Sequence, residues 1–283
     1  MRTRALLMLP GTAVLATFFG AFAIFAGVSV LHTRSGTPGY AAPVTLTNYA
    51  LFLGDASALG TLAHTLIFSL VLTAASIALG YPTAYLIARA RSRPGRTALL
   101  GALILTFLSG SISRAYGWLL LLGKRGMVNH LLLSAGLIDR PLSLIYNSTG
   151  VFIALLHFTL PYFALTVLGS IRNVPLHLEE AARDLGAKPL TVFFRITVPL
   201  TMPAVVNGAA LVFSLGISAF VFPLLLGGGR VRLISNFIYD QLFVAFDLPF
   251  AAASSAIFLT VALGALLFFV MLERLLVRKT GAR

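Results

Sequence analysis

The chain has 283 residues, of which 58% are hydrophobic and only 10% charged, far below the roughly 25% charged content of an ordinary soluble domain. A mean hydropathy of +0.95, gathered in long runs rather than in alternation, makes a bilayer rather than water its main solvent. The net charge of +13 falls in short clusters between apolar runs, which argues against nucleic-acid binding, and the lack of cysteine excludes disulfides, thiolate chemistry and Cys-based zinc sites.

Six segments reach the roughly 20 apolar residues that cross about 30 Å of hydrocarbon. The first, residues 5–31, follows Arg2 and Arg4 and competes with a cleaved signal peptide, with small residues near Ala21 and Ala23. Its apolar run continues to Val30, longer than a signal h-region, which favours a span. The second covers 60–88, and the third, 97–122, holds Arg114, the basic residue that falls inside a span. Between the third and fourth, residues 127–138 form an apolar stretch too short to cross, readable as an interfacial or re-entrant helix or as a packed loop helix. The fourth covers 148–171. The fifth, 200–226, ends at the glycine triplet 227–229, where missing side chains permit a sharp turn. The sixth is 250–272. Residues 1–58 then form an N-terminal helix and outer loop, 59–272 a core containing the loop 172–199, and 273–283 a tail.

Orientation follows from the basic residues between spans. Arg2, Arg4, Arg89, Arg91, Arg93, Arg96, Arg172, Arg183, Lys188, Arg195, Arg274, Arg278, Lys279 and Arg283 lie on one side, fourteen in all. Arg34, Lys124, Arg125, Arg140, Arg230 and Arg232, six, lie on the other. Both termini are therefore expected in the cytoplasm. The five histidines, His32, His64, His130, His157 and His177, have no second His or acid at ligand spacing on a shared helical face, so no metal site is expected.

The fourth loop is unusual for the cytoplasmic side because it gathers Glu179, Glu180 and Asp184, three of only eight acidic residues. Asn173 suits an N-cap and Pro175 the first turn of a short helix. Leu178, Ala181, Ala182 and Leu185 make a small apolar face on it. Gly186 suits a left-handed helix end, and Lys188 with Pro189 suits a second short helix through Phe193 and Phe194 to Arg195. Pro199 and Pro203 shape the entry to the fifth span. Two readings stand side by side: a helix that seats in a groove of another protein, with Glu180 or Glu179 meeting a basic residue there, or a folded loop with local surface contacts of little energy.

Glu180-Ala181-Ala182, followed by Gly186, Ile196, Pro199 and Pro203, resembles the EAA loop of bacterial ABC-importer permeases. Val198 stands where leucine is commoner, and Ala204 where glycine is frequent. The likeness runs from about Leu59 to Leu272. Gly80-Tyr81-Pro82-Thr83-Ala84-Tyr85, Arg114-Ala115-Tyr116-Gly117-Trp118, Gly136-Leu137-Ile138-Asp139 and Leu226-Gly227-Gly228-Gly229 are similar to the permeases of spermidine and putrescine importers. Permeases for iron(III) and phosphonate compounds share this branch, so the fold transfers more securely than the solute. The resemblance implies an all-α, six-helix type I importer (MetI-like) fold in a bacterial inner membrane. It implies a coupling helix docked on a dimer of cytoplasmic ATPase subunits, with the Glu180 carboxylate at the contact and Gly186 making the turn. It further implies a second permease subunit, a paralogue rather than a copy, and a periplasmic binding protein that delivers the solute.

No segment matches G-x-x-x-x-G-K-[ST], the loop that cradles nucleotide phosphates, so ATP and Mg²⁺ are expected in the partner ATPase and no cofactor in this chain. A polyamine path needs carboxylates, carbonyls or aromatic faces. Tyr116 and Trp118, like Tyr81 and Tyr85, are candidates that also read as packing residues, and Asp240 and Asp247 belong to the last outer loop. Arg114 must face a cavity or a partner, or bond helix carbonyls; its charge argues against simple contact with a polyamine. A secondary transporter would carry a relay of embedded ionisable groups, and a membrane enzyme would carry paired acids or a nucleophile with its base. The spans offer neither.

Overall fold

The computed structural model describes residues 2–33, 40–41, 44–90 and 92–280. Arg34, Arg91 and Arg283, counted above for orientation, lie outside them, and of Arg2, Arg4, Arg278 and Lys279 only the backbone course is described. Helices dominate: α1 (Arg2–Val28), α2 (Thr47–Gly54), α3 (Ala56–Arg89), α4 (Arg93–Leu108), α5 (Ser111–Leu122), α6 (Met127–Ser134), α7 (Ser148–Asn173), α8 (Leu176–Asp184), α9 (Pro189–Val192), α10 (Val198–Ile217), α11 (Val221–Leu226), α12 (Ile234–Phe243) and α13 (Leu248–Thr280). A two-residue antiparallel ladder pairs β1 (His32–Thr33) with β2 (Tyr40–Ala41).

Among the described residues, five helical stretches are long and apolar enough to cross a membrane: Gly11–Val28, Ala56–Arg89, Ser148–Asn173, Pro189–Ile217 and Leu248–Leu276. The third expected span, 97–122, is not one straight helix. Arg93–Leu108 and Ser111–Ser134 meet at 106° and make a sixth span only if the bent pair counts as one. The physical reason is local: Ser109 (φ −70°, ψ 135°) and Gly110 (φ −63°, ψ 147°) are both extended, which no helix accommodates. The expected fifth span is also shorter than residues 200–226. α10 ends at Ile217, residues 218–220 are non-helical, and α11 is a separate short helix that the glycine triplet terminates.

Chain contacts divide the protein into two units, Met1–Leu62 with Asn236–Val261 and Ala63–Ser235 with Ala262–Arg283. In the first, buried Asn48 donates from Nδ2 to the carbonyls of Ser29 (2.9 Å) and Leu31 (2.8 Å), satisfying main-chain acceptors just beyond the end of α1. Phe52, Phe237 and Phe250 pack their rings beside one another, with centroids 6.2 to 6.4 Å apart.

In the second unit α7 is the axis of the core. Phe163 is fully buried, and a Cβ at Gly80 of α3 or Gly208 of α10 would come within 2.7 and 2.9 Å of its ring. Glycine at both positions lets three helices close on one aromatic side chain, the small-residue packing that membrane helices use. Hydroxyl pairs bridge the same helices: Ser76 with Thr159 at 3.1 Å, and Tyr81 with Thr201 at 2.7 Å. Tyr81 is thus a buried packing residue. The stretch 127–138 contains α6, whose buried Asn129 donates to the carbonyls of Gly123 and Leu142 and accepts from the Leu142 N–H.

Candidate functional site

The fourth loop folds as two helices around a turn, with boundaries that differ from those expected. Asn173 is the last residue of α7 rather than a cap, and Pro175, extended at φ −62° and ψ 130°, stands at the N-cap of α8. Gly186 takes φ +85°. Its N–H donates to the Arg183 carbonyl (2.8 Å) and that of Ala187 to the Ala182 carbonyl (3.0 Å), closing α8 with the paired bonds of a left-handed C-terminal cap. Pro189 opens the second helix at its first turn. That helix does not stop at Arg195. A π-helical stretch, Phe193–Thr197, carries it directly into α10, so Pro189–Ile217 is one rod. The Val198 N–H reaches back five residues to the Phe193 carbonyl, and Pro199 has no N–H to place in the ladder.

Within α8 the two adjacent glutamates part company. Glu179, expected on the partner-facing surface, is instead fully buried. Its Oε1 accepts from Arg89 Nη2 (2.7 Å), Arg89 Nε (3.0 Å) and Thr197 Oγ1 (3.1 Å), while Oε2 accepts from Arg183 Nη2 (3.3 Å) and Tyr85 Oη (3.4 Å). Arg89 Nη2 also donates to the Val174 carbonyl at 3.1 Å. The contact with Arg183, expected as a weak surface pair, is one arm of this cluster. Burial of a carboxylate is tolerable only with such partners; deleting one side of a buried pair costs about 3–5 kcal/mol. Tyr85 is a member of the cluster rather than a free aromatic face.

Glu180, by contrast, is exposed, as are Ala181, Asp184 and Gly186, while Ala182 and Pro199 are half-buried. No other described side chain or main-chain group hydrogen bonds to the carboxylate of Glu180 or of Asp184. Leu185 is 90% exposed, with Leu176 and Leu178 exposed nearby. Arg89, Arg96, Leu176, Glu179, Glu180 and Arg183 line a cavity of about 490 Å³ at the base of this face. An outward apolar and acidic surface on a helix whose other side is bolted inward suits docking on a basic-rimmed groove.

Arg114 lies on α5, just after the bend. It is 7% exposed, with its guanidinium 5.0 Å over the Phe158 ring. Nη2 donates to the carbonyls of Thr106 and Ser109 (2.6 Å) and to Ser109 Oγ (2.8 Å). These carbonyls belong to the last turn of α4 and its cap, acceptors that the extended residues leave without helical partners. A cation there also meets the negative end of the helix. Arg114 thus bonds helix carbonyls, one of the alternatives open from the sequence; its Nη1 is buried without a partner among the described residues. Trp118 is half-buried and donates from Nε1 to His157 Nδ1 at 3.2 Å, while Tyr116 is exposed. Asp240 is half-buried on α12, in the other unit. Within the second unit, Arg114 and Trp118 are both committed to internal partners. A small cavity of about 200 Å³ lies between the two helix breaks, lined by Ser111, Leu155, Phe158 and Ser218 among others. Ser109-Gly110-Ser111 inside an apolar run was the available signal for the first break, whereas residues 218–220 carried none.

The family described as "Binding-protein-dependent transport system inner membrane component" matches residues 76–280. The spermidine/putrescine transport system permease protein PotB of Salmonella typhimurium (strain LT2) is 38% identical over 238 residues, 84% of this chain and 82% of that protein. PotB of Escherichia coli K12 is 38% identical, over 79% of this chain and 80% of that protein. In structure, the chain is similar to one from a bacterial ABC transporter involved in the import of the acidic polysaccharide alginate, with TM-score 0.78, 18% identity, and 96% of this chain and 95% of that chain covered. A chain of the inward-facing MetNI methionine ABC transporter gives TM-score 0.59 at 13% identity, covering 78% of this chain and 99% of that one. These structural likenesses carry the fold, and it is the expected all-α, MetI-like one. The match spans the core helices and the loop around α8 together, and the chain belongs to the family of binding-protein-dependent transport system inner membrane components, multi-pass permease subunits of ABC importers.

Proposed function

We propose that this chain is the permease subunit that carries a polyamine such as spermidine or putrescine across the inner membrane, from a periplasmic binding protein to the cytoplasm. The outward face of α8 is the observation that carries the reading: Glu180, Asp184 and Leu185 stand exposed on a helix whose opposite side is fixed by Glu179. That face docks a dimer of ATPase subunits, which hold ATP and Mg²⁺. The chain itself has no G-x-x-x-x-G-K-[ST] segment to do so. Fourteen basic residues against six support a cytoplasmic position for α8 and both termini. A second permease subunit, a paralogue of this one, completes the pathway.

The solute assignment draws on the PotB relatives. Arg114 does not oppose it, because its charge is spent on the α4 carbonyls rather than presented to a cation. The test is a purified complex bearing Glu180→Lys or Gly186→Val. Both variants insert in the membrane but lose the ATPase during co-purification; retention of the ATPase with normal uptake contradicts the docking role. Gly186→Val acts through the backbone, since φ +85° strains any β-branched residue while open space surrounds the position.

A further inference from the structure

Among the described side chains of α8, only Glu179 and Arg183 make hydrogen bonds, and Arg183 reaches nothing but Glu179. Every polar side-chain fastening of α8 to the rest of the unit therefore passes through one carboxylate. α3 and the Pro189–Ile217 rod, in contrast, hold each other independently of it. Phe193 packs edge-on against Tyr81 (5.3 Å) and Tyr85 (5.0 Å), and Tyr81 bonds Thr201. Resting on the docking role given to α8 above, we infer that Glu179 is the positioning residue of energy coupling. It latches α8 to the end of α3 through Arg89 and Tyr85, to the α7–α8 junction through Arg89 and the Val174 carbonyl, and to the rod through Thr197. A push on α8 thereby reaches three membrane-spanning helices, not only the two joined to it by the chain.

The choice of an ionic cluster here fits such a role. Replacing a buried ion pair with apolar residues of similar volume is often neutral for stability, whereas a directional set of bonds fixes the angle and height of one helix on another. Without the latch α8 stays on the ATPase and slides against α3, so ATP is hydrolysed while the spans lag.

The test uses the assembled complex in proteoliposomes with binding protein and spermidine. Arg89→Met combined with Glu179→Leu removes the charges together, and Thr197→Val removes one donor. The double variant keeps its ATPase, and spermidine moved per ATP falls about tenfold, within the usual range of coupling between sites; Thr197→Val gives a smaller loss. Wild-type transport per ATP in an attached double variant, or loss of the ATPase from it, overturns the inference. Because the chain has no cysteine, Leu86→Cys and His177→Cys can carry a nitroxide pair on α3 and α8 that needs no solute. Its distance distribution widens in the double variant with ATP bound, and an unchanged distribution contradicts the latch. If wild type imports no spermidine, the solute assignment falls while the nitroxide result still reads the latch. If Glu180→Lys keeps its ATPase, the docking role falls separately.

Discussion

Glu179 and Arg114 are both buried charges, and the fold satisfies them in opposite ways. The carboxylate collects donors from residues up to 94 positions away in sequence, four side chains converging on two oxygens. The guanidinium turns to carbonyls only five and eight residues back, on the helix end that precedes it. Removing a charge from water demands compensation in either case, but the first solution ties distant elements together and the second repairs a local break. A cluster of the first kind can transmit movement; a repair of the second kind holds a bend in place.

The largest effect that can break this comparison is Arg89→Ala. It leaves Glu179 buried without its principal partner, and the expected penalty is about 3–5 kcal/mol. In detergent extracts the variant is expected to run as aggregate on fluorescence-detected size exclusion; a monodisperse, heat-stable peak contradicts the account of Glu179. Next is Arg114→Leu, which leaves the Ser109 carbonyl without its donor at a cost of about 1–3 kcal/mol, while the Thr106 carbonyl keeps the hydroxyl of Ser109. Its melting midpoint should drop clearly, and Arg114→Lys should recover part of it, because an ammonium can reach one carbonyl but lacks the guanidinium fork. Equal midpoints for Leu and Arg would remove the repair role. Gly186→Ala should cost about 1–2 kcal/mol through the left-handed backbone alone, read as a modest drop in the same midpoint with ATPase attachment weakened. Smallest is Trp118→Phe, which keeps the ring and gives up the bond to His157 Nδ1, for about 0.5–1.5 kcal/mol; a change in uptake beyond that on stability would restore Trp118 to the solute path.

The contrast also explains what could be read from the sequence. Arg114 bonding helix carbonyls was legible, because its partners lie within two turns and only the bend at Ser109 and Gly110 was missed. Only Ser109-Gly110-Ser111 marks that bend within a long apolar stretch, where hydropathy registers length but not φ and ψ. The turn at Gly186 was legible for the same local reason. Glu179 was misread because its environment depends on where the end of α3 arrives, which helical spacing within α8 cannot report. The glutamates are adjacent, so one must face roughly 100° from the other on the helix, and only the packed structure says which one turns inward. The early start expected for α8 failed similarly: Asn173 suits a cap, but continuing α7 to that residue kept its own ladder intact.

The central claim is that neighbouring glutamates divide two tasks, Glu180 holding the ATPase and Glu179 passing its motion onward. The most direct test compares Glu180→Lys with the Arg89→Met, Glu179→Leu pair in one reconstituted system, measuring ATPase retained and solute moved per ATP. The account predicts that the first loses the ATPase, while the second keeps it and hydrolyses ATP with little transport. Identical behaviour of the two variants would contradict it.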